Sequence, residues 1–320
     1  MRIRMICPAP PNSLYGNRIT AVRWAGILRA LGHPIGIDRD WNGEPCDLLI
    51  ALHAWRSSAA VLRFRRAHPD QPIVVALTGT DVYRDIHRYR RAQRALDAAD
   101  RLVSLQPLAR QELPEAIRGK VRVIHQSVPT TSRPLSPLPG AFAVCVVGHL
   151  RRVKDPLRAA YASRSLPADS KIQVIQFGGA IEDRYAKLAR AEQDRNPRYQ
   201  WRGEIPRAKL RRLLAGSQLM VLASRMEGGA NVISEAAVDG VPVLASRIAG
   251  SIGLLGEDYP GYFPVGDTVA LRTLMLRAEA DPRFYRDLKS RCARLARLFH
   301  PERERTAWRR LLEELACSPP

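Results

Sequence analysis

Short apolar runs recur along the chain and alternate with stretches whose apolar positions repeat at helical spacing. Runs of strand length bounded by Gly, Pro and charged residues read as buried parallel strands, with helices laid over them. In the first half the expected strands are Ile3–Cys7, Pro34–Asp38, Asp47–Leu52, Ile73–Leu77, Leu102–Leu105 and Val121–His125. The first helix is marked by Trp24, Ile27, Leu28 and Leu31 on one face, with Gly32 as its stop. Between the first strand and this helix, Pro8 to Asn17 is too rich in Pro and Gly for either state, so a loop is expected there.

Residues Pro129 to Gly140 contain four prolines and little apolar content, which makes them the expected linker and hinge. A second alternating series follows, with strands at Phe142–Val147, Lys171–Phe177, Leu219–Ala223 and Val241–Ala245, and a further one ahead of Trp201. Helices are expected near Pro156–Arg164, Glu182–Arg195, Arg207–Ala215 and Asn231–Asp239, and the tail Val269–Cys317 reads as fully helical. The fold class is therefore α/β, with two Rossmann-like domains facing a cleft and ligands at the strand C-termini. The expected boundaries are 1–135, 136–295 and a terminal helix over 296–320 that packs back on the first domain.

The length of 320 residues suits two domains, and 46% hydrophobic with 26% charged residues is ordinary for a soluble globular protein. No apolar run nears the roughly 20 residues of a membrane span, so no stable membrane insertion is expected. The opening residues read as a strand and not as a signal segment. Five scattered cysteines without Cys-x-x-Cys spacing point to reduced thiols in the cytoplasm, with no zinc site. The net charge of +20 comes almost wholly from Arg, spread along the chain without the interleaved aromatics of a nucleic-acid surface. It suits anionic small-molecule substrates or a GC-rich genome, and no nucleic-acid partner is expected.

Residues 227 to 235 read Glu-Gly-Gly-Ala-Asn-Val-Ile-Ser-Glu. Glu227 falls on a loop after a strand and Glu235 inside the following helix. That helix start offers free N–H groups and a positive dipole end to a diphosphate, and Gly228 and Gly229 let the backbone approach a ligand. Glu235 is placed for a ribose diol and Glu227 for sugar hydroxyls, with Ala230, Asn231 and Val232 between them. After the first strand of the second domain comes Gly148-His149-Leu-Arg151-Arg-Val-Lys154-Asp, where Arg151 and Lys154 would clamp two phosphates without a metal. Gly178 and Arg202 lie on glycine turns after the next two strands, near a nucleobase. First-domain candidates are Gly16, Asn17 and Arg18, His53, the run Thr78, Gly79, Thr80 and Asp81, and Gln126. Asp81 would hold a hydroxyl, act as a base or cap a helix, and His53 would handle a proton or sit hydrogen-bonded in the core. Arg18, Arg56 and Arg84 are further cations for an anionic acceptor.

In this order the pieces resemble a retaining glycosyltransferase of the Glu-x7-Glu type (family 4) with the GT-B fold, most specifically over residues 142–267. The resemblance implies that Glu227 and Glu235 contact the donor sugar and ribose, and that Arg151 and Lys154 bind the diphosphate. That family has Arg directly after the glycine; here His149 stands in that place, and Arg151 is expected to substitute.

A longer resemblance covers nearly the whole chain. Pro8-Ala-Pro-Pro with Gly16-Asn-Arg, Ala51-Leu-His, Ala76-Leu-Thr-Gly-Thr-Asp81, Gly148-His-Leu-Arg with Val153-Lys-Asp-Pro156, and Gly253 to Asp267 are similar to the selenosugar synthases of selenoneine biosynthesis. This implies an enzyme joining selenophosphate to the anomeric carbon of UDP-GlcNAc or UDP-glucose, with no metal or other cofactor. It also implies functional links to a selenophosphate-producing enzyme and to a downstream enzyme using the selenosugar. The alternatives are a conventional hexosyltransferase acting on a lipid or metabolite hydroxyl, and a non-enzymatic basic binding protein for nucleotide sugars or nucleic acid.

Overall fold

All strand pairs are parallel in the computed structural model of the protein, which describes residues 1–317. The first sheet contains β1 (Ile3–Ile6), β2 (Ile35–Asp38), β3 (Leu48–Leu52), β4 (Ile73–Leu77), β5 (Arg101–Ser104) and β6 (Val121–Val123), in the order β2-β1-β3-β4-β5-β6. Every residue of β3 and β4 is buried, as a strand covered on both faces requires. The second sheet contains β7 (Phe142–Val147), β8 (Ile172–Phe177), β9 (Tyr199–Trp201), β10 (Leu219–Leu222), β11 (Val243–Ser246) and β12 (Tyr262–Phe263), in the order β12-β11-β10-β7-β8-β9. Strand β12, only two residues long, has too short an apolar run to be seen in the sequence.

Each order reverses once. The chain leaves β1 for β2 and returns to β3 on the other side; it leaves β7 through β8 and β9 and returns to β10. At such a reversal the two flanking loops diverge at the C-terminal strand ends, and a crevice opens where ligands bind. The reversal in the second sheet sets the β7 loop beside the β10 loop. In the first it sets the β1 loop beside the β3 loop.

The chain divides into one unit of residues 1–127 with 300–320 and a second of residues 128–299. The crossings thus lie at 127/128 and 299/300, in place of the expected 135/136 and 295/296. Hydrogen bonding explains the shift, because the proline-rich segment is tied to the second unit. Val128 N–H donates to Phe299 O at 3.0 Å, Thr131 Oγ1 to Asp239 at 2.9 Å, and Leu135 N–H to Arg212 O at 2.8 Å. The segment 129–140 is therefore anchored chain and not a free hinge.

The tail is not one helix. It breaks into Thr268–Ala280, Pro282–Leu295 and Pro301–Cys317, with Asp281 capping the second by accepting from Arg283 and Phe284 N–H. Pro282 and Pro301 each begin a helix, where a missing N–H costs nothing. The last helix packs on the first unit. Trp308 is fully buried edge-on against Trp24, ring centroids 4.9 Å apart, and buried Glu304 accepts the Trp24 indole N–H at 2.7 Å. The helix carrying Trp24 runs Gly16–Ala30 and buries Thr20, Trp24 and Leu28, so its stripe is centred differently from the expected one: Ile27 and Leu31 are only half-buried. Its first residues are Gly16, Asn17 and Arg18, which places them in a helical turn and not in the expected loop.

Candidate functional site

In the second unit the reversal point brings the β7 and β10 loops into contact. Arg225 N–H donates to Val153 O at 2.8 Å, and Lys154 Nζ forms an ion pair with Glu227 Oε1. Ser224 Oγ donates to the same oxygen at 2.6 Å. Glu227 Oε2 is left without a hydrogen-bond partner among the described residues, available to a hydroxyl donor. The Glu227 backbone is itself wedged. A Cβ on Gly250 would lie 2.0 Å from Glu227 O, so only glycine lets the helix Ala249–Leu255 pack this closely. Ser246 Oγ ties the strand behind to Ser224 O at 2.5 Å. A carboxylate fixed in this way loses little side-chain freedom on meeting a ligand.

Gly148 and Gly178 touch through their backbones. A Cβ on Gly178 would stand 2.1 Å from Gly148 O, and its φ of +139° also disfavours any side chain. Gly178 N–H donates to Gly203 O, and Trp201 Nε1 donates to Gly178 O, both at 2.8 Å. The three glycine turns expected from the sequence thus form one connected rim. His149 Nδ1 faces Glu204 at 3.8 Å. Arg151 Nε is buried with no hydrogen-bond partner among the described residues. Arg202 does not join this group: its guanidinium donates to the Gln200 side chain at 3.0 Å.

After the loop, Ala230 enters the helix Asn231–Val238 without a side-chain cap, and no acid lies in its first turn. The positive end of the helix dipole therefore lies at this turn with no acidic side chain in it. Glu235 is 3% exposed and ion-paired by Arg207 through Oε1. Beneath the loop, Cys145 on β7 is a packed core thiol pushed up to about 12 by burial, hence inert at neutral pH. On the same loop's flank, Arg152, Asp155, Arg184, Tyr185 and Arg225 line a polar cavity of about 410 Å³.

In the first unit, His53 and the 78–85 segment meet. His53 is 4% exposed in left-handed backbone, φ 74°. Asp81 is fully buried. Its two oxygens accept Gly79 N–H at 2.7 Å and Ala54 N–H at 3.0 Å, clamping the β4 loop to the β3 loop. The expected helix cap is corrected by this geometry, because Asp81 opens the next helical turn and its carboxylate ties two loops instead of capping that turn. Thr80 Oγ1 donates to Asp85 at 3.4 Å, and Thr78 Oγ1 is buried without a partner among the described residues. Gln126 is buried and donates to Thr20 Oγ1 at 2.7 Å, which joins it to the helix that begins with Gly16, Asn17 and Arg18.

Four residues escape the sequence reading: Arg207 on Glu235, Ser224 and Gly250 on Glu227, and Asp85 beside His53. Ser224 and Asp85 lie within a few residues of expected site residues; the other two are reached only through tertiary packing.

The family model for glycosyl transferases group 1 matches residues 131–294. No curated protein matches the chain. Among solved structures, the HepE protein of Anabaena in complex with UDP is 17% identical with a TM-score of 0.79, over 99% of this chain and 100% of that one. Sucrose-phosphate synthase from Thermosynechococcus elongatus is 18% identical with a TM-score of 0.80 over the same shares. α,α-Trehalose 6-phosphate synthase from Burkholderia multivorans is 15% identical with a TM-score of 0.71, over 85% of this chain and 71% of that one. The likeness to these structures is one of fold, and with the family match spanning just over half of its residues the chain belongs to the group 1 glycosyl transferases, with the GT-B fold.

Proposed function

We infer that the protein transfers a sugar from UDP-GlcNAc or UDP-glucose to the selenium of selenophosphate, making a selenosugar for selenoneine biosynthesis. The observation that carries the donor half is the Lys154–Glu227 pair at the reversal between β7 and β10. The diphosphate takes Lys154, Arg151 and the N–H groups at Asn231. Glu227 Oε2 then accepts from a sugar hydroxyl, and Glu235 from the ribose diol. Gly148, His149, Gly178, Gly228, Gly229, Ala230 and Val232 supply close backbone approach, with Arg202 at the rim. HepE, a relative in fold, has been solved with UDP and with UDP-glucose, which supports that donor class.

Selenophosphate is anionic before it reacts, so it needs electrostatic capture more than a strong base. The acceptor half rests on the sequence resemblance, with Gly16, Asn17, Arg18, Gln126 and Thr78 to Asp81 forming its surroundings and His53 behind them. In the step itself the C–Se bond forms as the anomeric C–O bond to UDP breaks, and UDP leaves with the bonding electrons. Arg151, Lys154 and the helix N–H groups stabilise that leaving charge, and no metal or other cofactor enters the step. Mass spectrometry of the full chain with UDP-GlcNAc and fresh selenophosphate tests this. The expected product is a sugar with selenium's isotope pattern, lost in Glu227→Ala. UDP-sugar turnover onto hydroxyl acceptors only would favour a conventional hexosyltransferase.

A further inference from the structure

Asp85 is fully buried, and a buried carboxylate needs cations or donors around it. It receives Arg84 Nε at 2.8 Å, Thr80 Oγ1 at 3.4 Å and His53 Nε2 at 3.7 Å. The His53 ring is oriented from its other side. Nδ1 accepts Arg56 N–H at 3.4 Å, and the His53 backbone N–H donates to Ala76 O at 2.8 Å. Nδ1 as acceptor leaves the proton on Nε2, toward Asp85. His53 holds this ring from left-handed backbone, φ 74°, a conformation uncommon for a non-glycine residue.

Arg84 is the outward end of this set. Its side chain is 52% exposed, and its two terminal amino groups make no hydrogen bond among the described residues. A guanidinium is planar, so fixing the Nε edge aims both amino groups. The segment Asp81–Asp85 is a π-helical turn, which sets Arg84 and Asp85 differently from an α-helical one. Thr78 Oγ1, just after β4, is buried, and neither it nor the exposed Arg56 beside His53 has a hydrogen-bond or ion-pair partner, respectively, among the described residues.

We propose that Arg84, aimed by Asp85 and His53, is the oxyanion-binding residue of the first unit, and that its ligand is a tetrahedral phosphorus oxyanion. The identification of that oxyanion with the acceptor selenophosphate rests on the function inferred above. Arg84 touches the ligand through its paired amino groups, with Arg56 adding charge alongside. Asp85 and His53 are positioning residues.

The test is calorimetric titration of inorganic phosphate into the full chain saturated with UDP, paired with the KM for selenophosphate. Arg84→Gln is expected to weaken phosphate binding and raise that KM at least about tenfold, the loss of one charge-assisted pair. UDP affinity stays within about twofold. Arg84→Lys, which keeps the charge but not the planar fork, recovers only part of the loss. Asp85→Asn is expected to raise KM while kcat changes little, a split that general destabilisation does not produce. Wild-type protein that binds no phosphate, or an Arg84→Gln variant that binds it equally well, overturns the proposal. If phosphate binding depends on Arg84 but no selenosugar forms, the oxyanion site stands and the inferred acceptor falls. If selenosugar forms with unchanged KM in Arg84→Gln, the reverse holds.

Discussion

Single positions in this protein are constrained by backbone contact more than by side-chain chemistry. Gly178 and Gly203 both have positive φ, but only Gly178 has another backbone within reach of a Cβ. Gly203→Ala should therefore cost about 1 kcal/mol from strain alone. Gly178→Ala should cost about 2–3 kcal/mol, because overpacking is added. UDP affinity should also fall, since the Gly148 loop must move. Denaturant unfolding of the two variants checks this, and equal losses would mean that the contact with Gly148 is not tight. The Lys154–Glu227 pair illustrates a related point about charge. Both carboxylates of the Glu-x7-Glu motif meet a cation, Lys154 on one and Arg207 on the other, so neither is left as an uncompensated buried charge.

At the scale of elements, the terminal helix shows how ion pairs hold one element to a sheet edge. Glu314 accepts from Arg101 Nε and Arg122 Nε, both at 2.8 Å, on β5 and β6. Arg122 and Arg101 hold its carboxyl below the usual 4.5. A depressed folded-state value means that the contribution is fully present above the unfolded value and is lost as pH falls below it. Glu314→Gln should then cost about 1 kcal/mol at neutral pH, with the difference from wild type vanishing in acid. Thermal unfolding across pH measures it, and a difference that persists in acid would mean that packing dominates. The central strands β3, β4 and β10 were legible because they are buried along their whole length, so their apolar runs are unbroken. Four helices of the second half, those within 156–239, were legible by period and by their flanking Gly and Pro, whereas Ala249–Leu255 was not expected. The two-residue β12, the π-helical turn at Asp81 and the break at Asp281 were not, because each depends on tertiary contacts or one cap.

For the whole molecule, the two reversals in strand order matter most. The Glu227–Glu235 motif of the second unit is contiguous in the sequence, and the fold brings Lys154 to Glu227 from a loop 73 residues away. The first unit was harder to read. Asp81 reads in the sequence as a base or a cap and ties two loops through backbone amides, while Asp85, four residues on, accepts from Arg84 Nε. Burial and hydrogen-bond partners separate such roles, and neither is visible in residue type. No helix among the described residues is long and apolar enough to cross a membrane. The 129–140 segment is rich in proline, yet its backbone and side-chain bonds anchor it to the second unit, a distinction that composition alone does not make.

The central claim is that the second unit holds a UDP-sugar through Lys154 and the Glu227 loop. It is tested most directly by calorimetric titration of UDP into the full chain, wild type beside Lys154→Ala, with and without a metal chelator. Saturable binding of one UDP per chain is expected, unchanged by the chelator and weakened at least about tenfold in the variant, as loss of a charge-assisted contact to phosphate implies. Wild-type protein that takes up no UDP, or a variant that binds it as tightly, would contradict the account.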